Sequence, residues 1–305
     1  MIGEGFRPSW AGRLVASLTT VGESIGNALV YSSAYLAFVA MVYVAIVMVL
    51  LDLPPNLAPV VGGLVTFAIY ANDRLVDVDD DAVTNPRRTV FVRRHSDELY
   101  ALAAVAYGIA VALSVLGGPI TLVVTLMPGI FWVAYAMDWM PEVWFHVRRL
   151  KQVFVVNSAL VAFAWAASAI LLPVGYTGAT LTTATGFVFA YFFLRSFTNS
   201  EIPNVRDVDA DRAIGVATLP VVLGVGRTRR VLFGIDVLTA AIVGYAGLAG
   251  YLPALPTVAL LVGVGYSLVV TSLVGRVEAN GLLAIAAECE YVVVGLALVP
   301  VVYAA

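Results

Sequence analysis

Two acidic motifs carry residue types and spacings that could do chemistry. The first acidic motif, Asn72–Asp81, has five aspartates within nine residues and follows an apolar stretch at residues 57–70. On a helix, Asp73, Asp77 and Asp81 would recur every four residues and share one face. Because like charges at this spacing repel one another, such a row favours a bound cation.

The second acidic motif runs from Asn204 to Asp211 and also follows an apolar stretch. Asn204, Asp207 and Asp211 fall at positions i, i+3 and i+7, so a helix would again place them on one face. Proteins usually hold Mg²⁺ with a few carboxylates together with substrate phosphates. A single charge run after an apolar segment is usually a solvated loop, but two such motifs predict a metal and diphosphate site.

The composition is that of a membrane protein. Hydrophobic residues make up 61% of the 305 residues and charged residues only 12%, and the mean hydropathy is +0.94. This predicts an all-α polytopic membrane protein. The single Cys289 excludes an internal disulfide framework. The G-x-x-x-x-G-K-[ST] phosphate loop is absent, which argues against an ATP-driven pump, and no nucleic-acid-binding motif occurs.

The apolar stretches predict about nine transmembrane helices, each near the ~20 residues that a bilayer core requires. They are expected at residues 28–51, 56–76, 98–116, 119–137, 152–173, 180–200, 229–250, 254–275 and 282–304. Residues 1–27 are expected to form a cytosolic or interfacial lead-in. No polar linker divides the chain, so residues 1–305 are expected to form a single domain.

Basic residues lie in alternate connections of this arrangement. They are Arg7 and Arg13, then Arg87, Arg88, Arg93 and Arg94, then Arg148, Arg149 and Lys151, then Arg206, Arg212, Arg227, Arg229 and Arg230, then Arg276. Arg74 and Arg195 are assigned to the same side, near span ends. Since basic connections stay in the cytoplasm, we expect a cytoplasmic N-terminus in a multi-pass cell-membrane protein, with both acidic motifs facing the cytoplasm.

Together the two motifs resemble those of the UbiA family of intramembrane prenyltransferases. That family carries Asn-Asp-x-x-Asp-x-x-x-Asp on its second helix and Asp-x-x-x-Asp on its sixth. The first acidic motif has one extra residue between Asp73 and Asp77, which a helix bulge would accommodate. Glu201–Gly215, followed by Thr218-Leu219-Pro220, is similar to the family's second signature and its Asp-Arg-x-x-Gly…Thr-Leu-Pro tail. Pro203 is expected to kink the span just before this site.

The resemblance implies a helical bundle around a central chamber, a Mg²⁺ cofactor, and transfer of a prenyl group from an isoprenyl diphosphate. The implied metal and diphosphate ligands are Asn72, Asp73, Asp77, Asp81, Asn204, Asp207 and Asp211. The implied catalytic residues are Lys151, Arg206 and Tyr135, and the implied substrate-binding residues are Arg88, Trp132 and Phe192. Basic groups would neutralise the charge that grows on the leaving diphosphate.

Aromatic faces could stabilise the allylic cation left behind, at roughly 0.5–2 kcal/mol each. The candidates are Phe131, Trp132, Tyr135, Phe163, Trp165, Phe187, Tyr191, Phe192 and Phe197. For any one of them, ordinary packing or lipid contact is the competing explanation. An isoprenoid tail would enter sideways from the membrane lipids, and the chamber would shield the cation from water.

Three further acidic residues, Asp236, Glu288 and Glu290, lie within predicted spans. Ionisable groups in a membrane are costly and by default suggest function. Glu288 or Glu290 could act on the acceptor or pair with a neighbouring helix. A snorkelling or capping role is the plainer alternative for both.

Three alternatives to a prenyltransferase remain open from the sequence. A terpene cyclase of the same family would begin with the same ionisation of the diphosphate. A cation transporter could use paired acidic motifs, although transporter sites usually lie near the membrane midplane. A non-catalytic relative would not need both aspartate faces. The acceptor is expected to be lipophilic: a quinone precursor, a lipid or a carotenoid.

Overall fold

The computed structural model describes residues 26–79, 82, 85–136, 156–277 and 280–304, and in these ranges all regular secondary structure is helical. The elements in chain order are α1 (Ala34–Leu50), α2 (Ala58–Val76), α3 (Pro86–Arg94), α4 (Ser96–Leu116), α5 (Gly118–Ala136), α6 (Val156–Thr177), α7 (Thr183–Arg206), α8 (Val208–Ile214), α9 (Leu219–Leu223), α10 (Val225–Leu248), α11 (Ala254–Leu273) and α12 (Asn280–Ala304). The predicted lead-in falls almost wholly outside these ranges.

The nine long helices of the described ranges coincide with the nine predicted spans to within a few residues. Five of them are long and apolar enough to cross a bilayer: Ser96–Leu116, Ser158–Thr177, Val225–Leu248, Ala254–Leu273 and Leu282–Tyr303. Two shorter apolar helices are Ala34–Leu50 and Gly118–Ile130. The all-α polytopic membrane fold is thus confirmed, while the count of nine spans remains a prediction.

The long helices close into a ring. Each packs against the next in the order α1, α2, α4, α5, α6, α7, α10, α11 and α12, and α12 returns to α1. Contacts of α6 with α1 and α2, and of α7 with α12, cross the ring. The largest apolar cluster fills the space between these helices. The ring therefore brings the end of α2 and the end of α7 to the rim of one shared interior.

The first predicted span is interrupted at its beginning. Residues 26–31 are helical, but Ser33 adopts a left-handed conformation with φ of 64° and separates them from α1. The Ser32 hydroxyl accepts a hydrogen bond from the backbone N–H of Ala34, at 3.4 Å. Serine side chains compete in this way with helical hydrogen bonds, so α1 begins six residues later than predicted.

The prediction that Arg195 lies near a span end is wrong. Arg195 is near the middle of α7 and fully buried. Its Nε lies 2.8 and 3.0 Å from the two carboxylate oxygens of Glu290 on α12, and its Nη1 pairs with Asp236 on α10. A guanidinium is retained in an apolar interior only where carboxylates pair with it.

The hydroxyls of Tyr191 and Ser267 complete this arrangement. We name it the Arg195 cluster, and its members are Tyr191, Arg195, Asp236, Ser267 and Glu290. Tyr191 donates to Glu290 at 2.9 Å, and Ser267 on α11 donates to Asp236 at 3.0 Å. The cluster joins four helices, α7, α10, α11 and α12. It gives the two intramembrane acids Asp236 and Glu290 a structural explanation.

Candidate active site

The first acidic motif lies at the end of α2, which stops at Val76. The backbone N–H of Asp77 donates to the carbonyl oxygen of Asp73 at 2.9 Å, so these two aspartates share the last helical turn. Arg74 lies 3.7 Å from the Asp73 carboxylate. The helix ends at residue 76, where the second span was predicted to end, and Asp81, the third aspartate of the face considered above, lies outside the described residues.

Asp79 points away from this turn. Its carboxylate pairs with Arg93 of α3 at 2.6 Å, and its side chain is 85% exposed. Arg88, predicted to bind substrate, also lies on α3 and is half-buried. The short helix α3 therefore runs beside the first acidic motif and brings basic side chains to its solvent side.

The second acidic motif is divided by a break in the helix. α7 ends at Arg206, and Asp207 joins it to α8. Two of the three guanidinium nitrogens of Arg206, Nε and Nη2, donate to the Asp207 carboxylate, at 2.7 and 2.6 Å. Asp211 donates its backbone N–H to the Asp207 carbonyl at 2.8 Å. Asn204 and Asp211 thus lie on either side of the break, not on one unbroken helix as expected. Pro203 lies within α7, and the helix breaks four residues after it, at Asp207.

Burial and neighbouring charge act together on the Asp211 carboxyl. Partial burial raises its pKa, the hydrogen bond from the Thr218 hydroxyl at 3.2 Å opposes this, and the negative charges of Asp207 and Glu201 raise it further. The carboxylate form is thus disfavoured where no cation is present. Thr218, from the Thr-Leu-Pro tail of the motif, holds Asp211 in place.

Glu201 is a site residue that the sequence did not single out. It is fully buried, and its Oε2 accepts hydrogen bonds from the Asn204 side chain at 3.1 Å and from the Leu219 backbone N–H at 3.3 Å. It therefore ties the start of the second acidic motif to the first turn of α9. The available signal was its place three residues before Asn204, at the start of the Glu201–Gly215 signature.

Replacing Glu201 with alanine is expected to destabilise the protein by about 1–3 kcal/mol, because a buried backbone N–H and the Asn204 amide lose their acceptor. Glu201→Gln keeps an acceptor oxygen and serves as the matched control. Thermal unfolding in detergent measures both. Equal midpoints for the alanine variant and the wild type would show that these hydrogen bonds contribute nothing.

A central cavity of about 250 Å³ lies between α1, α2, α6, α7 and α12. Its lining residues are Leu36, Val39, Ala40, Tyr43, Thr66, Tyr70, Val161, Trp165, Ser196, Asn199, Ser200, Pro203, Glu288 and Tyr291. Tyr70 precedes the first acidic motif by two residues, and Pro203 directly precedes the second. Both motifs therefore begin where α2 and α7 leave the same cavity.

The aromatic lining differs from the prediction. Of the predicted aromatics, Trp165 lines the cavity, with its ring 6.4 Å from Tyr43 and 6.3 Å from Tyr70. Phe192 does not line it: this side chain is fully buried behind Tyr43 and Tyr291, 4.3 and 6.0 Å from their rings. Phe192 supports the two tyrosines that form the wall, and its predicted contact with substrate remains a prediction.

Tyr43, Tyr70 and Tyr291 were missed because apolar helices give no pattern that separates the chamber face from the lipid face. Trp132 and Tyr135 fall within α5, but their side chains lie outside the described residues, as does Lys151 altogether. Their predicted roles remain predictions.

The donor atoms of the two motifs suit a hard cation such as Mg²⁺. The described ligands are carboxylate and amide oxygens, and each motif lies at a helix C-terminus, whose dipole adds partial negative charge. Within the described ranges, no group of three or more His, Cys, Asp or Glu side chains is placed to hold a metal by itself.

Comparison with solved structures finds the same fold in several proteins. A UbiA homologue from Aeropyrum pernix K1 has a TM-score of 0.64 at 16% identity, over 87% of this chain and 97% of that one. A UbiA homologue from Archaeoglobus fulgidus bound to DMAPP and Mg²⁺ has a TM-score of 0.60 at 17% identity, over 90% of this chain and 99% of that one. A digeranylgeranylglyceryl phosphate synthase has a TM-score of 0.56 at 13% identity, over 90% of this chain and 97% of that one.

In sequence, none of the curated proteins matches the chain significantly. The model of the UbiA prenyltransferase family, however, matches residues 35–280. This range runs from the beginning of α1 to the beginning of α12 and includes both acidic motifs and all of the cavity lining except Glu288 and Tyr291. The chain therefore belongs to the UbiA prenyltransferase family, as its two motifs led us to expect.

Proposed function

We propose that the chain is a Mg²⁺-dependent intramembrane prenyltransferase that moves a prenyl group from an isoprenyl diphosphate to a lipophilic acceptor. The observation that carries this proposal is the shared position of the two acidic motifs at the mouth of one aromatic cavity. The Archaeoglobus fulgidus homologue has been solved with DMAPP and with GPP, each with Mg²⁺, which supports an isoprenyl diphosphate as donor.

The diphosphate would lie at the motifs and the allylic end of the donor in the cavity. Asp73 and Asp77 on one side, and Asn204, Asp207 and Asp211 on the other, would hold Mg²⁺, together with Asn72 and Asp81. When bound, Mg²⁺ supplies Lewis-acid stabilisation of the diphosphate oxygens as their charge increases. Arg206 and Arg88, with the predicted Lys151 and Tyr135, would contribute further positive charge and hydrogen bonds to the leaving group.

The cavity wall suits the allylic cation formed when the C–O bond breaks and both electrons leave with the diphosphate. The rings of Tyr43, Tyr70, Trp165 and Tyr291 offer negative π faces to it. The same rings exclude water, which would otherwise capture the cation. Ring stabilisation and water exclusion thus come from the same side chains.

The size of the cavity limits what it holds. About 250 Å³ lies below the ~300–1,000 Å³ of pockets that enclose drug-sized ligands. A long donor would therefore place only its reacting end here, while its tail lies between helices or in lipid. Entry from the membrane suits such a donor, and the distribution of basic residues supports a site that opens to the cytoplasm.

A terpene cyclase remains the second candidate, since the aromatic wall could equally hold a cation that attacks double bonds of its own chain. The product separates the two. Transfer gives a compound heavier than the acceptor by the prenyl group, whereas cyclisation gives a hydrocarbon or alcohol derived from the donor alone. Family membership sets the cation transporter aside.

Purified protein is expected to release pyrophosphate from geranylgeranyl diphosphate in the presence of Mg²⁺ and a membrane lipid extract. Chelation of the metal by EDTA should lower the rate to the blank, and re-addition of Mg²⁺ should restore it. A pyrophosphate assay with mass spectrometry of the lipid product measures both. Release that is unaffected by EDTA, or no release with donors of any chain length, would contradict the proposal.

A further inference from the structure

Glu288 is a carboxyl group that the binding of metal and diphosphate does not use. It lies on α12 and lines the central cavity. Among the described residues no hydrogen bond or ion pair holds its side chain, whereas Glu290, on the same helix, is fully paired in the Arg195 cluster. The two glutamates, close in sequence, therefore have different surroundings and different roles.

The polar part of the cavity wall around Glu288 presents oxygen atoms. Asn199 donates its side-chain N–H to the carbonyl of Ala287, at 3.3 Å, which fixes it beside Glu288. Its Oδ1 is buried and has no hydrogen-bond partner within the described structure. The hydroxyls of Tyr43 and Tyr291 are shared with Ser196, at 3.1 and 3.4 Å. A carboxylate and an amide oxygen thus remain available to a ligand in the cavity.

Stability alone does not account for a glutamate at this position. Glu288 is half-buried, and taking a carboxyl group even partly out of water without a partner costs free energy, where a glutamine of the same shape would cost less. Intramembrane carboxyl groups without a structural partner are candidates for function. The cavity also lies where the cation and the acceptor would meet.

We propose that Glu288 is the catalytic base that takes the proton displaced from the acceptor. This inference rests on the proposed prenyl transfer. The π electrons of the acceptor form the new carbon–carbon bond to the allylic cation, which leaves the positive charge on the acceptor. Glu288 then removes a proton from the carbon next to that charge, and the C–H electron pair restores the double bond. The sum is prenylated acceptor, diphosphate and one proton held by Glu288.

The same carboxylate restricts the acceptor. A substrate that carries its own carboxylate would bring like charges together in an apolar cavity, which is strongly unfavourable. Glu288 and the free Asn199 oxygen instead suit a neutral, lipophilic acceptor with an electron-rich alkene or phenol, whose hydroxyl can donate a hydrogen bond. This narrows the acceptor to neutral molecules without an acid group.

The test separates ionisation from proton removal. Geranylgeranyl diphosphate labelled with ¹⁸O at the bridging oxygen reports reversible C–O cleavage, because the label moves to non-bridging positions. Glu288→Gln is expected to keep this exchange within about twofold of the wild type while the prenylated product falls by roughly 100-fold or more. Glu98→Gln, an exposed glutamate in the first turn of α4, is the matched control and should change neither.

Three results would overturn the assignment. Product formation by Glu288→Gln at the wild-type rate would show that no base is needed at this position. Loss of exchange and product together, in a folded variant, would place Glu288 in ionisation instead. If the glutamine variant does not fold, Glu288→Asp carries the test: a folded aspartate variant that loses exchange together with product would also overturn the assignment. Absence of both pyrophosphate release and prenylated product in the wild type would instead overturn the proposed transferase and this inference with it.

Discussion

Replacing Asp77 or Asp207 with alanine is expected to lower the rate of prenyl transfer by roughly a thousandfold while leaving the protein folded. Each aspartate ends a long helix at the mouth of the central cavity, where a metal bound to diphosphate would lie. A thousandfold loss corresponds to about 4 kcal/mol of transition-state stabilisation, within what a bound metal contributes to a developing anion. Pyrophosphate release with saturating donor and Mg²⁺ measures the effect.

The chain supplies matched controls within the same two motifs. Asp79 and Asp209 are exposed and pair with Arg93 and Arg212, respectively, at the surface. Alanine at either position is expected to change the rate by no more than a few fold. An equal loss at Asp79 and Asp77 would mean that the ligands of the first acidic motif are assigned in the wrong register.

Arg195→Met is expected to destabilise the protein by about 3–5 kcal/mol, because it leaves Asp236 and Glu290 buried without their cation. The apparent unfolding midpoint in detergent should fall by on the order of 10 °C. Arg212→Met, which removes an exposed arginine, should leave the midpoint unchanged since surface ion pairs contribute little.

A second variant distinguishes lost pairing from lost volume. In Arg195→Met combined with Asp236→Leu and Glu290→Met, no buried charge remains unpaired, so most of the stability should return. A single Arg195→Met variant as stable as the wild type would show that the Arg195 cluster does not form as described.

Much of the fold was predictable because its signals are local. Apolar stretches located the nine long helices, and the spacing of Asp73 and Asp77 placed them in one helical turn. The break in the helix at Asp207 was not predicted, because an acidic run has the same spacing whether or not the helix continues. Arg206 illustrates what local signals leave out: its charge suggested a role toward a leaving group, which remains a prediction, while its ion pair with Asp207 was not expected.

The pairing of Arg195 and the wall of the cavity depend on contacts between residues far apart in sequence. Arg195 seemed to belong to a cytoplasmic end because nothing near it could pair with it, and both of its carboxylate partners lie on later helices. The cavity wall was missed for a similar reason: Tyr43 and Tyr291 meet only after α12 packs against α1, with their rings 4.6 Å apart.

The Arg195 cluster can form only after the residues that follow Arg195 in the chain have been synthesised. Arg195 is synthesised before both of its partners, and Glu290 lies on the last helix. An unpaired arginine at the centre of a helix costs about 2.5–3.5 kcal/mol on insertion, so α7 enters the bilayer at a cost that is recovered only when α10 and α12 arrive. Until Glu290 is in place, α7 carries an arginine that Asp236 alone only partly pairs, so the cluster is complete only once α12 has packed against α7.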